Sequence, residues 1–171
     1  MELASLIRDV PDYPIEGILF KDITTLIQNA DAFQEVIDWM VELYADISVD
    51  CVVAIEARGY IFGAPLAYRL GAGFVPVRKP GKLPAKTISE SYALEYGTNT
   101  LEMHEDAIKP GQQVLVIDDL LATGGSARAA VNLVERLGGE VAGVAFMIEL
   151  DFLHGRDKLE GYAVQSLIHF D

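Results

Sequence analysis

Asp118 and Asp119 stand side by side between an apolar run (residues 114–117, Val-Leu-Val-Ile) and a loop of small residues, Ala122, Thr123, Gly124, Gly125 and Ser126. Ionised carboxylates only accept hydrogen bonds, so the pair suits the vicinal hydroxyls of a ribose. The loop suits an anion. Its glycines let backbone N–H groups close on phosphate oxygens with no Cβ in the way. Thr123 and Ser126 add hydroxyl donors. A helix expected over 127–137 turns its unpaired N–H groups and positive dipole end toward the same place. Each half is ambiguous alone, since glycine turns are common and adjacent aspartates are usually solvated. In the order strand, acidic pair, small loop, helix, they describe a phosphate cradle beside a polyol clamp. The loop has neither the Gly-Lys-Ser/Thr ending of a nucleoside-triphosphate loop nor the Gly-x-Gly-x-x-Gly of a dinucleotide site.

The cations are as unevenly placed as the carboxylates. Residues 58–86 contain Arg58, Arg69, Arg78, Lys79, Lys82 and Lys86 and no Asp or Glu. The remaining 142 residues hold 7 basic against 26 acidic side chains, a balance of −19 within a whole-chain charge of −13. That overall charge argues against nucleic acids and anionic membranes as partners. The acid-free tract reads as a site for a small anion or as a solvated basic face. Arg58 follows the apolar run 51–55 after two residues, and its forked donors match phosphate oxygens in a way lysine cannot. His104, His154 and His169 are scattered, and no His, Asp and Glu set has metal-ligand spacing, so no protein metal site is expected.

These groups need a scaffold that brings 56–59 and 118–126 together. Short apolar runs at 51–55, 74–77, 114–117, 141–148 and 163–168 read as buried strands. Between them, helices are expected over 60–70, where Pro65 falls in the first turn or makes a kink and Gly71 ends the element, and over 127–137, closed by Gly138 and Gly139. Asp31 is expected to N-cap an earlier helix whose apolar positions Phe33, Val36, Ile37, Met40, Val41, Tyr44 and Ile47 recur at three and four. The alternation gives an α/β fold, a parallel sheet flanked by helices, with ligands beyond the carboxyl ends of the strands. Residues 78–101 break the rhythm and read as a flexible loop and hairpin, a lid over that edge. At 171 residues and 51% hydrophobic, residues 1–171 suit a single domain. No apolar run approaches a membrane span, residues 1–10 form no secretory signal, and Cys51 reads as a buried thiol, so a cytoplasmic location is expected.

Residues 116–125, Val-Ile-Asp-Asp-Leu-Leu-Ala-Thr-Gly-Gly, resemble the 5-phosphoribosyl 1-pyrophosphate (PRPP) motif of the type I phosphoribosyltransferases, in the wording of their adenine branch. Segments 18–23, 56–63, 77–84 and 94–97 support the resemblance in the expected order over nearly the whole chain. It implies transfer of the 5-phosphoribosyl group from PRPP to adenine, giving AMP and pyrophosphate, a purine-salvage step. The cofactor implied is Mg²⁺ carried by PRPP and pyrophosphate. A homodimer is also implied, in which the Arg78 and Lys79 segment can come from the neighbouring subunit. PRPP and AMP would be held by Asp118, Asp119, Ala122, Thr123, Gly124, Gly125 and Ser126, and pyrophosphate by Arg58, Arg78, Lys79, Lys82 and Tyr96. Tyr96 could instead pack the closed lid.

Glu95 matches the family's lid glutamate and is the general acid/base candidate, against the plainer reading of a solvated loop carboxylate. Together with Arg58 it forms the catalytic pair. Residues 1–30 would form a base-binding hood in which Phe20 stacks on adenine opposite Leu120, while backbone groups of Leu19 and Lys21 read its edge. Phe20 as ordinary core competes with that role. Lys21 stands where many relatives have arginine, Ser126 where threonine is frequent, and Pro80 where some have a basic residue. The alternatives are the same reaction with another purine, or a PRPP-binding regulator on the same fold.

Overall fold

The computed structural model describes residues 1–94 and 96–171, and Glu95 lies outside the described residues. The chain forms two compact units, Met1–Trp39 and Met40–Asp171.

In the first unit a 3-10 turn, Leu3–Leu6, precedes strands β1 (Arg8–Pro11) and β2 (Leu19–Asp22), which pair antiparallel. Their facing residues carry opposite charge: Arg8 meets Asp22 at 2.5 Å and Lys21 meets Asp9 at 2.6 Å. Cross-strand ion pairs of this kind hold strands too short and too polar to show alternation. One turn of helix, α1 (Thr24–Ile27), follows, and then α2 (Ala30–Leu43), which continues into the second unit. The cap of α2 is Asn29, whose Oδ1 accepts the Ala32 N–H at 3.0 Å. Asp31, expected at the cap, lies inside the first turn, where its charge favours the helix dipole. The helix stops at Leu43, and Ile47 is exposed beyond it.

The second unit contains β3 (Cys51–Ile55), α3 (Arg58–Leu70), β4 (Gly73–Val77), β5 (Thr87–Ala93), β6 (Thr98–His104), β7 (Gln113–Leu121), α4 (Gly125–Arg136), β8 (Glu140–Leu150) and β9 (Val164–Phe170). Five strands form a parallel sheet in the order β4-β3-β7-β8-β9, and β5 and β6 form an antiparallel hairpin. Every residue of β3 is buried, as a central strand covered on both faces must be. Cys51, Val53 and Ile55 face one way and share a core with Val116, Phe146 and the inner face of α4. Val52 and Ala54 face the other way, against Gly63 of α3. Each large side chain buried here, such as Phe146 or Leu133, contributes about 1.5–3 kcal/mol of apolar burial.

Two elements depart from the expected boundaries in ways that shape the site. Strand β7 does not stop before the acidic pair. It pairs with β3 only as far as Ile117, opposite Ala54, but with β8 as far as Leu121, opposite Glu149. Asp118 and Asp119 therefore ride on a strand overhang that has a neighbour on one side only. Helix α3 begins at Arg58, earlier than expected, and runs through Pro65 at mid-helix to Gly71, whose φ of +68° ends it.

Candidate active site

The carboxyl ends of β3 and β7 converge on a cavity of about 400 Å³. Glu56 and Ala57 connect β3 to α3, so Arg58 projects from the first turn of the helix. Arg58, Lys79, Lys82, Asp118, Asp119 and Ser126 all line this cavity, together with Glu56, Tyr92 and Asn99. Residues named from widely separated segments thus share one wall. A second cavity of about 190 Å³ runs along Leu120, Ala122, Thr123, Gly124 and Ser126, and Tyr92 and Ser126 line both. The loop is set by Gly124, which caps α4 at φ +88°, a conformation that favours glycine. Gly125 opens the helix beneath the Tyr92 ring, where an added Cβ would lie 2.7 Å from Cδ2. Hairpin residues Tyr92, Asn99 and Leu101 wall the larger cavity.

The charges inside are already interlocked. Asp119 Oδ2 accepts the Arg58 Nε–H at 2.6 Å, with the aspartate buried and the arginine half-exposed. Asp118 Oδ1 accepts the Asp119 N–H at 2.8 Å. Burial, and after it the neighbouring Asp119 charge, pushes the Asp118 carboxyl well above the ordinary carboxylate range. Helix α3 sits close enough that a Cβ on Gly59 would lie 3.0 Å from Asp118 Oδ1.

Glu56, not foreseen as a site residue, organises the basic loop. Its Oε1 accepts the Lys79 N–H at 2.8 Å, while Oε2 faces Arg78 Nη2 and Lys82 Nζ, each at 3.4 Å. Burial alone would raise this carboxyl, but the Lys79 N–H and the two cations outweigh it and hold the group below its ordinary value. Arg78 also donates from Nη1 to the Lys82 carbonyl at 3.4 Å, and its buried Nε has no hydrogen-bond partner among the described residues. The signal was present in the sequence: Glu56 is the last acid before the acid-free tract opens.

The remaining candidates are placed differently. Tyr96 is 87% exposed and lines neither cavity. Leu120 borders the smaller cavity. In the first unit Phe20 meets Tyr13 edge to face at 5.0 Å, and with Val10, Tyr13 and Asp22 it lines a cavity of about 240 Å³. Leu19 is half-exposed and Lys21 is paired with Asp9. The Glu95 assignment falls on the residue outside the described set.

The fold also gathers Glu149, Asp151 and His169, whose ligand atoms lie within 4.8 Å of one another. Sequence spacing had given no hint of this group. Arg156 Nε donates to both Glu149 oxygens at 2.9 Å, so a cationic side chain already occupies that carboxylate.

A family profile described as a phosphoribosyl transferase domain matches residues 22–169. The chain is 63% identical over 169 residues to the adenine phosphoribosyltransferase of Chloroflexus aurantiacus, covering 99% of this chain and 98% of that one. Among solved structures, adenine phosphoribosyltransferase from Thermoanaerobacter pseudethanolicus superposes with a TM-score of 0.96 at 55% identity, covering 99% of this chain and 98% of the other. The Saccharomyces cerevisiae enzyme, complexed with adenine and an imino-altritol 1,6-bisphosphate, gives 0.91 at 43% identity over 97% and 96% of the two chains. A matched profile over most of the chain, near-complete coverage and a shared fold lead to one conclusion: this chain belongs to the phosphoribosyltransferase family, in its adenine branch.

Proposed function

We propose that this chain transfers the 5-phosphoribosyl group from PRPP to adenine, releasing pyrophosphate and forming AMP, a step of purine salvage. The observation that carries the reading is the cavity in which Arg58, Lys79 and Lys82 face Asp118, Asp119 and Ser126. Few ligands need cations, vicinal-hydroxyl acceptors and a phosphate loop within one space, and PRPP is such a ligand. The relative solved with adenine and a bisphosphate supports the same substrate pair.

Each group has a physical task. N–H groups of residues 124–126 and the hydroxyls of Thr123 and Ser126 hold the 5-phosphate at the head of α4. Asp118 and Asp119 accept from the ribose hydroxyls. Arg58, Arg78, Lys79 and Lys82 receive the pyrophosphate, whose departure leaves negative charge that preorganised cations stabilise. The hairpin wall formed by Tyr92 and Asn99 excludes water from the reacting carbon. Glu95 moves the proton on the purine ring.

Mg²⁺ neutralises pyrophosphate oxygens when it is bound. The donor set fits an ion carried in by the substrate, because Asp119 and Glu56 are engaged by cationic side chains. Of the acidic pair, Asp118 lines the cavity with no ion pair among the described residues and would be the carboxylate to approach that ion. Within residues 1–30, Leu19, Phe20 and Lys21 are the candidates for reading adenine, and in the second unit Leu120, which borders the smaller cavity, is another. The active form is a homodimer, and a buried single thiol at Cys51 is in keeping with a cytoplasmic enzyme. No helix among the described residues is long and apolar enough to cross a membrane.

A steady-state assay with PRPP, Mg²⁺ and adenine, guanine, hypoxanthine or xanthine in turn tests the reading. AMP from adenine alone is expected. PRPP binding with no nucleotide from any base would indicate a regulator instead.

A further inference from the structure

Strand β8 ends in Glu149 and Leu150, and the chain then makes two 3-10 turns, Asp151–Leu153 and Gly155–Leu159. An ionic knot fixes this return. Arg156 Nε donates to both Glu149 oxygens at 2.9 Å, and Nη1 donates to the Val164 carbonyl at 3.0 Å. Glu149 Oε1 also accepts the Ser166 hydroxyl at 2.7 Å, and His169 Nδ1 lies 4.0 Å from Oε2. Glu149 is buried, and these partners satisfy its carboxylate oxygens. In the sheet register Glu149 stands opposite Leu121, where β7 gives way to the phosphate loop.

Between the knot and the loop lies Gly155. A Cβ on it would fall 2.5 Å from the Ala122 carbonyl oxygen and 2.8 Å from Leu121 Cδ1. A Cβ on Gly124 would collide with the Gly155 carbonyl oxygen. The two backbones therefore touch with nothing between them, and a shift of one moves the other. Gly124 sets where the first N–H groups of α4 point. Neither Glu149, Arg156 nor Ser166 lines either cavity, so none of them touches a ligand there.

We infer that Arg156 is a positioning residue for the phosphate-binding loop, acting through Glu149 and the backbone of Gly155. It braces the half of the site that takes the 5-phosphate and leaves the pyrophosphate half alone. The inference rests on reading residues 122–126 as the 5-phosphate loop, and the test separates the two.

Calorimetric titration of the intact chain with ribose 5-phosphate, and separately with pyrophosphate and Mg²⁺, provides that test. For Arg156→Gln, and for Arg156→Lys, which keeps the charge but not the fork, the ribose 5-phosphate Kd rises about tenfold while the pyrophosphate Kd stays within about twofold. The KM for PRPP rises with it and the adenine KM does not. If the single variants do not fold, Glu149→Gln combined with Arg156→Met removes both charges together, leaves no buried ion unpaired, and should show the same contrast. Unchanged ribose 5-phosphate binding, or parallel loss of both ligands, overturns the inference. Failure of the unaltered chain to bind ribose 5-phosphate overturns the reading of the loop itself, and the inference with it.

Discussion

Replacing Asp118 by asparagine should make the protein more stable and less active, with a gap in stability that depends on pH. Asparagine matches the neutral acid in shape and keeps the oxygen that accepts the Asp119 N–H at 2.8 Å. What it removes is a charge that burial and the adjacent Asp119 both oppose. A carboxyl raised in the folded state binds more protons folded than unfolded. Stability therefore falls as pH rises from the ordinary carboxylate value toward the raised one. Below about pH 4 both variants are neutral at this position and should melt together. Above the raised value the asparagine variant should be ahead by about 1–2 kcal/mol, the usual gain from relieving a functional-site conflict. For a chain of this length that corresponds to a melting point higher by about 2–8 °C. Exchange of one acceptor oxygen for an amide donor facing the ribose should lower kcat/KM for PRPP about 10- to 100-fold. Thermal melts from pH 3.5 to 8, beside steady-state kinetics, measure both. A variant that melts lower at pH 8, or a gap that does not change with pH, would refute the argument.

Arg58→Lys keeps the charge but loses the fork and the Nε contact to Asp119, so the KM for PRPP should rise about 10- to 100-fold; unaltered kinetics would remove the guanidinium geometry from the mechanism. Glu95→Gln should lower kcat by about 10²–10⁴ with PRPP binding nearly unchanged, and normal turnover would end its proton-transfer role. Phe20→Ala should raise the adenine KM about 3- to 10-fold, the worth of one stacking contact; a lower melting point with unchanged KM would mark Phe20 as core. Gly59→Ala puts a methyl group 3.1 Å from the Ile117 carbonyl oxygen as well as against Asp118, and should cost about 1–3 kcal/mol in urea unfolding. An alanine variant as stable as the parent would mean that α3 can back away.

The parts of this fold that burial dictates could be read from residue order alone. Cys51–Ile55 is apolar throughout because both faces are covered, and Gly71 and Gly124 adopt positive φ where elements had to end and begin. The phosphate loop and the acidic pair were legible because their residue types and their order suggest one chemistry. What stayed hidden depends on partners distant in sequence. That β7 carries Asp118 and Asp119 beyond Ile117 follows from the greater length of β8 beside it, which no local pattern records. Strands β1 and β2 are held by ion pairs between residues 12 and 14 positions apart, so they lack the apolar alternation that announces a strand. Arg156 looks like an ordinary surface charge until the fold supplies Glu149 as its partner.

The contacts of Glu56 with Arg78, Lys82 and the Lys79 backbone have a bearing on what the molecule shows to its surroundings. A pocket of bare cations would collect any passing anion, including free phosphate and the backbone of RNA. Here one buried carboxylate lies beneath the cluster and offsets part of its charge, on a chain whose overall charge of −13 already repels polyanions. Both side-chain contacts are loose at 3.4 Å, so a ligand with several phosphate oxygens can draw the cations away, while a single weak anion gains little by trying. Discrimination then begins before any base or sugar is read, in cations held back by one carboxylate until a ligand with enough oxygens draws them away.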